Sequence, residues 1–306
     1  MEFDVVINTD DNYVQHCMAM LCSLYENNKS HTITVHVLMK ELSVSSKQEL
    51  LRLTKTYDNE CLFYTVNEKP LEGVQFRSKR PLSKAAYYRL LLASVLPKNI
   101  DKILYLDCDI IVLRDLSEVF EIELNNYALA ATLDHFPYSN QHRLQLHMEA
   151  DERTFCSGIM LVNLKYWREH DCEPKLLAYA KRHREVVFLH DQDVLNYVFK
   201  KKWFLLPPKW NKGAYVHLCK KNEMYKRYDY VEYRNSPMLI HYADSLLKPW
   251  LDIHSLSRNQ YLKYLRLSGF KTASFTKVTF SMKIRNFISL IKFYIVDVYY
   301  IFKYLK

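Results

Sequence analysis

Two carboxylates, Asp107 and Asp109, stand one residue apart at the end of an apolar run, in the segment Asp101-Lys-Ile-Leu-Tyr-Leu-Asp-Cys-Asp-Ile-Ile-Val-Leu-Arg-Asp115. Carboxylates that close repel each other and are costly to keep ionised unless a cation lies between them. The pair therefore suggests a divalent cation. On this pattern alone a solvated strand end or turn is the commoner outcome, because Asp-x-Asp arises often by chance. The run before it, Ile103 to Leu106, is short and β-branched or aromatic, and is expected as a strand covered on both faces in a mainly parallel sheet. Strand alternation would then point Asp107 and Asp109 to one side and Cys108 to the other. In open α/β sheets ligands collect at the carboxyl ends of strands, which is where the pair falls.

The elements that must position this segment alternate between strand and helix. Phe3 to Thr9 is expected as a strand, Val14 to Tyr25 as a helix, Ile33 to Leu38 as a second strand and Cys61 to Val66 as a third. A helix begins after Ser43, with Leu50 and Leu53 among its apolar positions. Lys84 to Leu96 is expected as a helix stopped by Pro97. Beyond the carboxylates, Ala128 to Leu133 and Phe155 to Asn163 are strands, and Leu164 to Glu169 starts a helix. Two charged helices then follow, with a break around His190 to Asp193. Met238 to Tyr242 is a last short strand. Residues 135 to 153, and two stretches at 70 to 84 and 210 to 236, are expected as loops; the last two hold no readable motif. This succession is the mark of βαβ units.

Composition bounds the class. The chain has 306 residues, 49% of them hydrophobic, enough for a large core. Only 4 glycines are present, and no Gly-rich phosphate loop of the Walker or dinucleotide type can be found. A bound nucleotide must be gripped by other means. Seven scattered cysteines without a Cys-x-x-Cys pair point to reduced thiols and a cytoplasmic setting. The acidic start, Met1-Glu-Phe-Asp4, does not resemble a signal peptide. Of the formal net charge of +9, residues 271–306 carry +6, from seven Lys or Arg and one Asp. With no nucleic-acid module in view, that basic, aromatic end fits an anionic membrane surface, as a helix lying in the interface with Arg285, Lys292 and Lys303 on one stripe, the alternative being a C-terminal helix packed on the domain or in a dimer interface. Phe287, Leu290, Tyr294, Val298, Ile301 and Leu305 would fall opposite. The expected division is residues 1–255 and a helical tail, 256–306.

Four segments in order, Asn8-Thr-Asp-Asp-Asn-Tyr13, Tyr105-Leu-Asp-Cys-Asp109, His190-Asp-Gln-Asp193 and His241-Tyr-Ala-Asp-Ser-Leu-Leu-Lys-Pro-Trp250, carry a resemblance. Together with Phe155-Cys-Ser-Gly158 and Trp167-Arg-Glu-His-Asp171, they resemble the family 8 glycosyltransferases over about residues 3 to 252. Within that family the likeness is to the lipopolysaccharide galactosyl- and glucosyltransferases, with glycogenin a more distant relative. It implies a GT-A type nucleotide-sugar-binding fold, a UDP-sugar donor, UDP-galactose or UDP-glucose, and transfer with retention to a glycan or lipid-linked glycan. It places the protein at the inner face of the cell membrane, in lipopolysaccharide biosynthesis or that of another surface glycan.

The resemblance also distributes roles. Asp107, Asp109 and His241 make an oxygen and nitrogen set that suits Mn²⁺, with Mg²⁺ less favoured by nitrogen. Lys248 adds a second positive charge beside the donor diphosphate. Asn8, Thr9, Asp10, Asn12 and Tyr13 fall where the family holds the uridine, and Arg89 and Asp134 where it holds the diphosphate or sugar. Cys108, Cys156, Ser157 and Asp244 complete the donor contacts. Asp191 and Gln192 lie near the sugar as the catalytic pair. A carboxamide is a poor nucleophile, so front-face departure and attack fit Gln192 better than a covalent adduct.

Two departures from the family pattern bear on the donor. Cys156 stands where an asparagine is common, which leaves the sugar open. Asp244 stands where glycine is frequent, in a segment one residue longer than in near relatives. Two other classes compete. A haloacid-dehalogenase-type phosphohydrolase also sets Asp-x-Asp after an apolar strand, but early in the chain. A catalytically inactive membrane-associated glycan-binding protein would have no need of Asp107, Asp109, Gln192, His241 and Lys248 together.

Overall fold

The alternation of strands and helices is realised in a computed structural model that describes residues 1–74, 84–134, 146–149, 152–183, 189–213, 227–243, 248–251, 255 and 257–275, and eight positions between 279 and 295. The strands are β1 (Glu2–Asn8), β2 (Thr32–Met39), β3 (Glu60–Thr65), β4 (Lys102–Leu106), β5 (Ile110–Val112), β6 (Leu129–Leu133), β7 (Phe155–Asn163), β8 (Trp203–Leu205) and β9 (Leu239–His241). The principal helices are α1 (Val14–Glu26), α2 (Val44–Thr56), α3 (Leu164–Glu169), α4 (Cys172–Arg182), α5 (Asp191–Val198), α6 (Arg227–Asn235) and α7 (Arg258–Leu267). They form two compact units; the expected boundary near residue 255 falls inside the second.

The first unit, residues 1–14, 29–108 and 116–206, holds a seven-stranded sheet in the order β3-β2-β1-β4-β7-β6-β8. It is mostly parallel, with β7 antiparallel to both β4 and β6. As expected, Ile103 to Leu106 is buried on both faces, since β-branched and aromatic side chains fill a sheet packed from two sides. Strand β4 is held at its entrance by Arg168 of α3. Its guanidinium donates to the carbonyls of Pro97 at 2.9 Å and Ile100 at 2.8 Å, so the loop into the strand cannot shift. The indole of Trp167, one residue earlier, donates to Ala128 O at 2.9 Å. The Trp167 to Asp171 segment is thus scaffold.

Two expectations are corrected here. Lys84 to Leu96 is not one α-helix: Lys84–Leu91 winds as a 3₁₀-helix, and only Leu92–Val95 is α. The tighter winding sets residues three apart in line, and Arg89 Nε accordingly takes the Ala86 carbonyl at 3.0 Å. Secondly, β4 ends at Leu106, and Asp107 to Asp109 lie in a turn before β5, so strand alternation does not set their directions. Instead the Asp107 N–H donates to Gly158 O at 2.9 Å, and Cys108 Sγ donates to Asn8 O at 3.2 Å.

The second unit, residues 15–28, 109–115 and 207–306, is built on the antiparallel pair β5 and β9, with Ile110 opposite His241. Helix α1 is anchored to β5 by polar side chains: Ser23 Oγ accepts from the Val112 N–H at 2.9 Å, and Asn27 Nδ2 donates to Val112 O at 3.0 Å. Asn27 also donates to the Tyr264 hydroxyl of α7 at 2.8 Å. Beyond α7, the described helical positions Phe280, Ile284, Phe287, Ile288, Ile291 and Ile295 recur at helical spacing and are all exposed. Of the tail residues singled out in the sequence, Arg285, Leu290, Lys292, Tyr294, Val298, Ile301, Lys303 and Leu305 lie outside the described residues, as do 75–83, 135–145 and 214–226 of the expected loops. Among the described residues no helix is long and apolar enough to cross a membrane. Among the described residues six cysteines, 17, 22, 61, 108, 156 and 172, are buried and outside any disulfide.

Candidate active site

In the first unit the site grows around Arg89, whose side chain is only 7% exposed. Nη2 donates to Asp107 Oδ1 at 2.8 Å, Nε stands 3.0 Å from Asp191 Oδ2, and Nη1 donates to the Ser157 carbonyl at 2.7 Å. The guanidinium lies over the Tyr105 ring, 4.5 Å from its centroid, and the Tyr105 hydroxyl donates to the same Asp107 oxygen at 2.8 Å. Asn8, at the end of β1, closes this side by donating to the Tyr105 hydroxyl at 3.2 Å and to Ala85 O at 3.0 Å. Burial would lower the Arg89 pKa, but Asp107 and Asp191 outweigh it and hold the group above its ordinary value. Its donors are directed at protein groups, so the geometry makes Arg89 an orienter of two carboxylates.

The other side of this network is set by α5. Asn196 fastens that helix to the start of β7: Oδ1 accepts from the Phe155 N–H at 2.8 Å, and Nδ2 donates to Phe155 O at 2.9 Å. The first turn of α5 then brings Asp191 and Gln192 to Ser157. Ser157 Oγ donates to Asp191 Oδ2 at 3.3 Å, and the Ser157 N–H donates to Gln192 Oε1 at 3.0 Å. Gln192 Nε2 donates to Asp134 Oδ2 at 2.7 Å. The amide is thereby fixed in one orientation. Burial pushes the Asp191 carboxyl up to about 6, against the pull of Arg89.

Asn8, Arg89, Asp107, Asp134, Ser157, Asp191 and Gln192 are thus joined in one chain of contacts. The residues expected to hold the uridine are arranged differently. Asp10 accepts the Asn12 N–H at 2.9 Å in an Asp turn. It lines, with Thr9, Lys40, Glu68, Ala85 and Tyr88, a cleft of about 310 Å³. Asn12 and Tyr13 are exposed. The loop is braced by Asp11, which sequence reasoning passed over: its carboxylate accepts from Ser43 and Ser46 at the start of α2, and these hydrogen bonds hold it below the usual carboxylate range. Cys156 is buried within β7, and Asp244 lies outside the described residues.

In the second unit the β5 and β9 pairing carries Asp109 to His241, and the Tyr242 N–H donates to Asp109 O at 3.0 Å. His241 Nδ1 faces Asn211 Oδ1 at 3.2 Å. A carbonyl oxygen there places the proton on Nδ1 and turns the Nε2 lone pair the other way. That nitrogen stands 3.3 Å from Asp109 Oδ1, a buried oxygen that finds no hydrogen-bond donor among the described residues. Two acceptors facing each other across a buried gap repel unless a cation stands near, so the pair fits a metal ion on its own chemistry. Lys248 Nζ contacts the other oxygen, Asp109 Oδ2. That ammonium holds the Asp109 carboxyl well below the usual carboxylate range, in spite of burial.

Asn211, Tyr105 and Asn196 were missed by sequence reasoning. Asn211 and Asn196 are ordinary polar residues whose partners lie mostly elsewhere in the chain and which no motif marks, whereas Tyr105 opens the carboxylate motif and donates to Asp107, two residues on. A weak signal existed only for Tyr105.

Residues 4–254 match the profile of glycosyl transferase family 8. Among curated proteins the chain is 28% identical to general stress protein A of Bacillus subtilis (strain 168), over 88% of this chain and 94% of that protein. It is 26% identical to a lipopolysaccharide 1,2-glucosyltransferase of Escherichia coli, over 85% of this chain and 77% of that one. Among solved structures the fold is that of the galactosyltransferase LgtC, crystallised with donor and acceptor sugar analogs. The TM-score is 0.79, at 23% identity over 91% of this chain and 98% of that one.

Proposed function

The chain belongs to glycosyl transferase family 8 and is a hexosyltransferase, and from that premise we propose that it moves galactose or glucose from a UDP-sugar to a hydroxyl of a glycan, with retention. The acceptor class is lipopolysaccharide or another cell-surface glycan. The phosphohydrolase and inactive-binder readings have no comparable support.

The observation that carries the reading is the bare Asp109 oxygen facing His241 Nε2. Asp107, two residues earlier, Asp109 and His241 each offer a ligand atom for a divalent cation, Mn²⁺ by preference for the nitrogen. When bound, such a cation neutralises the donor diphosphate and stabilises the charge left by the departing sugar. Arg89 and Tyr105 keep Asp107 aimed by fixing one of its oxygens. Asp191 is held by Arg89 and Ser157 through one oxygen, and the Gln192 carbonyl oxygen already accepts a backbone N–H. Both arrangements support sugar positioning over covalent attack, and hence front-face departure, with the leaving phosphate drawing the acceptor proton. The cleft at Asp10 is the proposed seat of the nucleoside.

Of the region 256–306 set apart in the sequence, α7 packs on α1 within the second unit, and the part proposed to lie on an anionic membrane surface, at the inner face of the cell membrane, is the stretch beyond α7. The net +6 of residues 271–306 and the exposed stripe from Phe280 to Ile295 support this, because apolar side chains sink below lipid head groups while Lys and Arg meet their charge. A panel of UDP-sugars tests the function, scored by UDP release with Mn²⁺, since slow donor hydrolysis needs no acceptor. UDP-galactose or UDP-glucose should be turned over and a chelator should stop it. Chelator-insensitive turnover, or inertness across the panel, would overturn the reading.

A further inference from the structure

The Lys248 to Asp109 contact carries more than added positive charge. Both side chains are nearly buried, 11% and 13% exposed, and the ammonium sits on the carboxylate oxygen opposite the one that faces His241. Behind it stands an aromatic stack. The Trp250 ring lies 5.6 Å from Lys248 Nζ and is stacked on His16 at 3.6 Å. His16 Nδ1 is hydrogen-bonded to the Tyr261 hydroxyl at 2.8 Å, and that hydroxyl accepts from Gln15 Nε2 at 3.0 Å. This wall joins α1 to α7 and restricts where the ammonium can go.

We propose that Lys248 is the resident cation of Asp109, released to the donor diphosphate when a divalent cation arrives, so that metal and nucleotide bind as a coupled pair. The inference rests on the metal-dependent reading above. A divalent cation arriving alone meets an ammonium already seated on one of its ligands. A diphosphate arriving alone finds that ammonium neutralised by a buried carboxylate, which it would leave uncompensated. Together they exchange partners without stranding a charge: Asp109 passes to the metal and Lys248 to the diphosphate. Coupling of this kind is reciprocal, each ligand tightening the other by the same factor.

Calorimetry on the full chain tests this, with Mn²⁺ and UDP as the probes, each titrated alone and in the presence of the other. For the native chain, UDP should tighten Mn²⁺ binding about tenfold or more, within the span usual for coupled sites. In Lys248→Met, Mn²⁺ alone should bind about tenfold more tightly than in the native chain, and the coupling factor should fall by about the same tenfold, leaving the part that comes from the cation meeting the diphosphate directly. Lys248→Arg, which keeps the charge, should retain the coupling. The inference is overturned if Lys248→Met, folded by circular dichroism, binds Mn²⁺ alone no more tightly than the native chain. Should the Met variant not fold, Lys248→Gln takes its place in the same comparison, tighter binding of Mn²⁺ alone supporting the exchange and unchanged binding overturning it. These failures differ from failure of the underlying reading, in which the native chain would release UDP without a metal and take up no Mn²⁺ even with UDP present.

Discussion

Replacing Arg89 by Met asks whether the buried guanidinium is what keeps Asp107 and Asp191 in place. The substitution approximates the side chain's volume and removes contacts of 2.8 Å to Asp107 and 3.0 Å to Asp191. Breaking one partner of a buried ion pair typically costs about 3–5 kcal/mol, because the charge left behind is uncompensated. Here the loss should depend on pH. Asp191 is already raised to about 6 by burial while Arg89 pulls it down, so removal of Arg89 raises it further. A carboxyl raised in the folded state binds more protons there than when unfolded, so its contribution to stability falls as pH rises through that window. In the native protein this fall is confined to the range between the ordinary value of 3.8 and about 6. In the variant it extends above 6. The stability difference should therefore widen between pH 6 and pH 8, by at most about 1.4 kcal/mol per pH unit. Urea unfolding at pH 6, 7 and 8, followed by tryptophan fluorescence, measures it. A loss below about 1 kcal/mol at pH 8, or one that is the same at all three values, would refute the buried ion-pair account.

The other predictions concern the chemistry. Asp107→Ala and Asp109→Ala should each abolish Mn²⁺-dependent UDP release while circular dichroism stays native-like. His241→Ala should weaken Mn²⁺ more than Mg²⁺ by calorimetry, and equal losses would count against a nitrogen ligand. Asn211→Ala, which removes the partner of Nδ1, should lower Mn²⁺ affinity about 10- to 100-fold, the usual effect of losing such an orienting contact. Gln192→Ala should lower turnover and keep an α-linked product; a glycosyl adduct on Gln192 or Asp191, found by mass spectrometry, would rule out front-face transfer. Truncation after residue 270 should leave donor hydrolysis intact and remove salt-sensitive binding to anionic liposomes, and full-length protein that ignores such liposomes would end the membrane proposal.

What the sequence determined by itself is what local pattern controls. Strands β1, β2, β4 and β7 are predominantly apolar runs suited to a sheet covered on both faces, and α2 carries its own start signal in Ser43, whose hydroxyl accepts the Ser46 N–H. The carboxylates, His241 and Lys248 could be singled out because four motifs fall in family order, not by the carboxylate pair alone. The tertiary structure decided the rest. Lys84 to Leu96 reads as an α-helix, but Lys84–Leu91 winds as a tighter 3₁₀-helix, from which Arg89 meets both Asp107 and Asp191. The carboxylate pair reads as a strand end, but it lies in a turn whose directions are set by partners such as Arg89, Tyr105, His241 and Lys248. His16 and Tyr261 meet across 245 residues of chain, and Lys248 and Asp109 across 139. Such pairings leave no periodicity, since a side chain's neighbours across a fold are chosen by packing and charge compensation and not by spacing along the backbone.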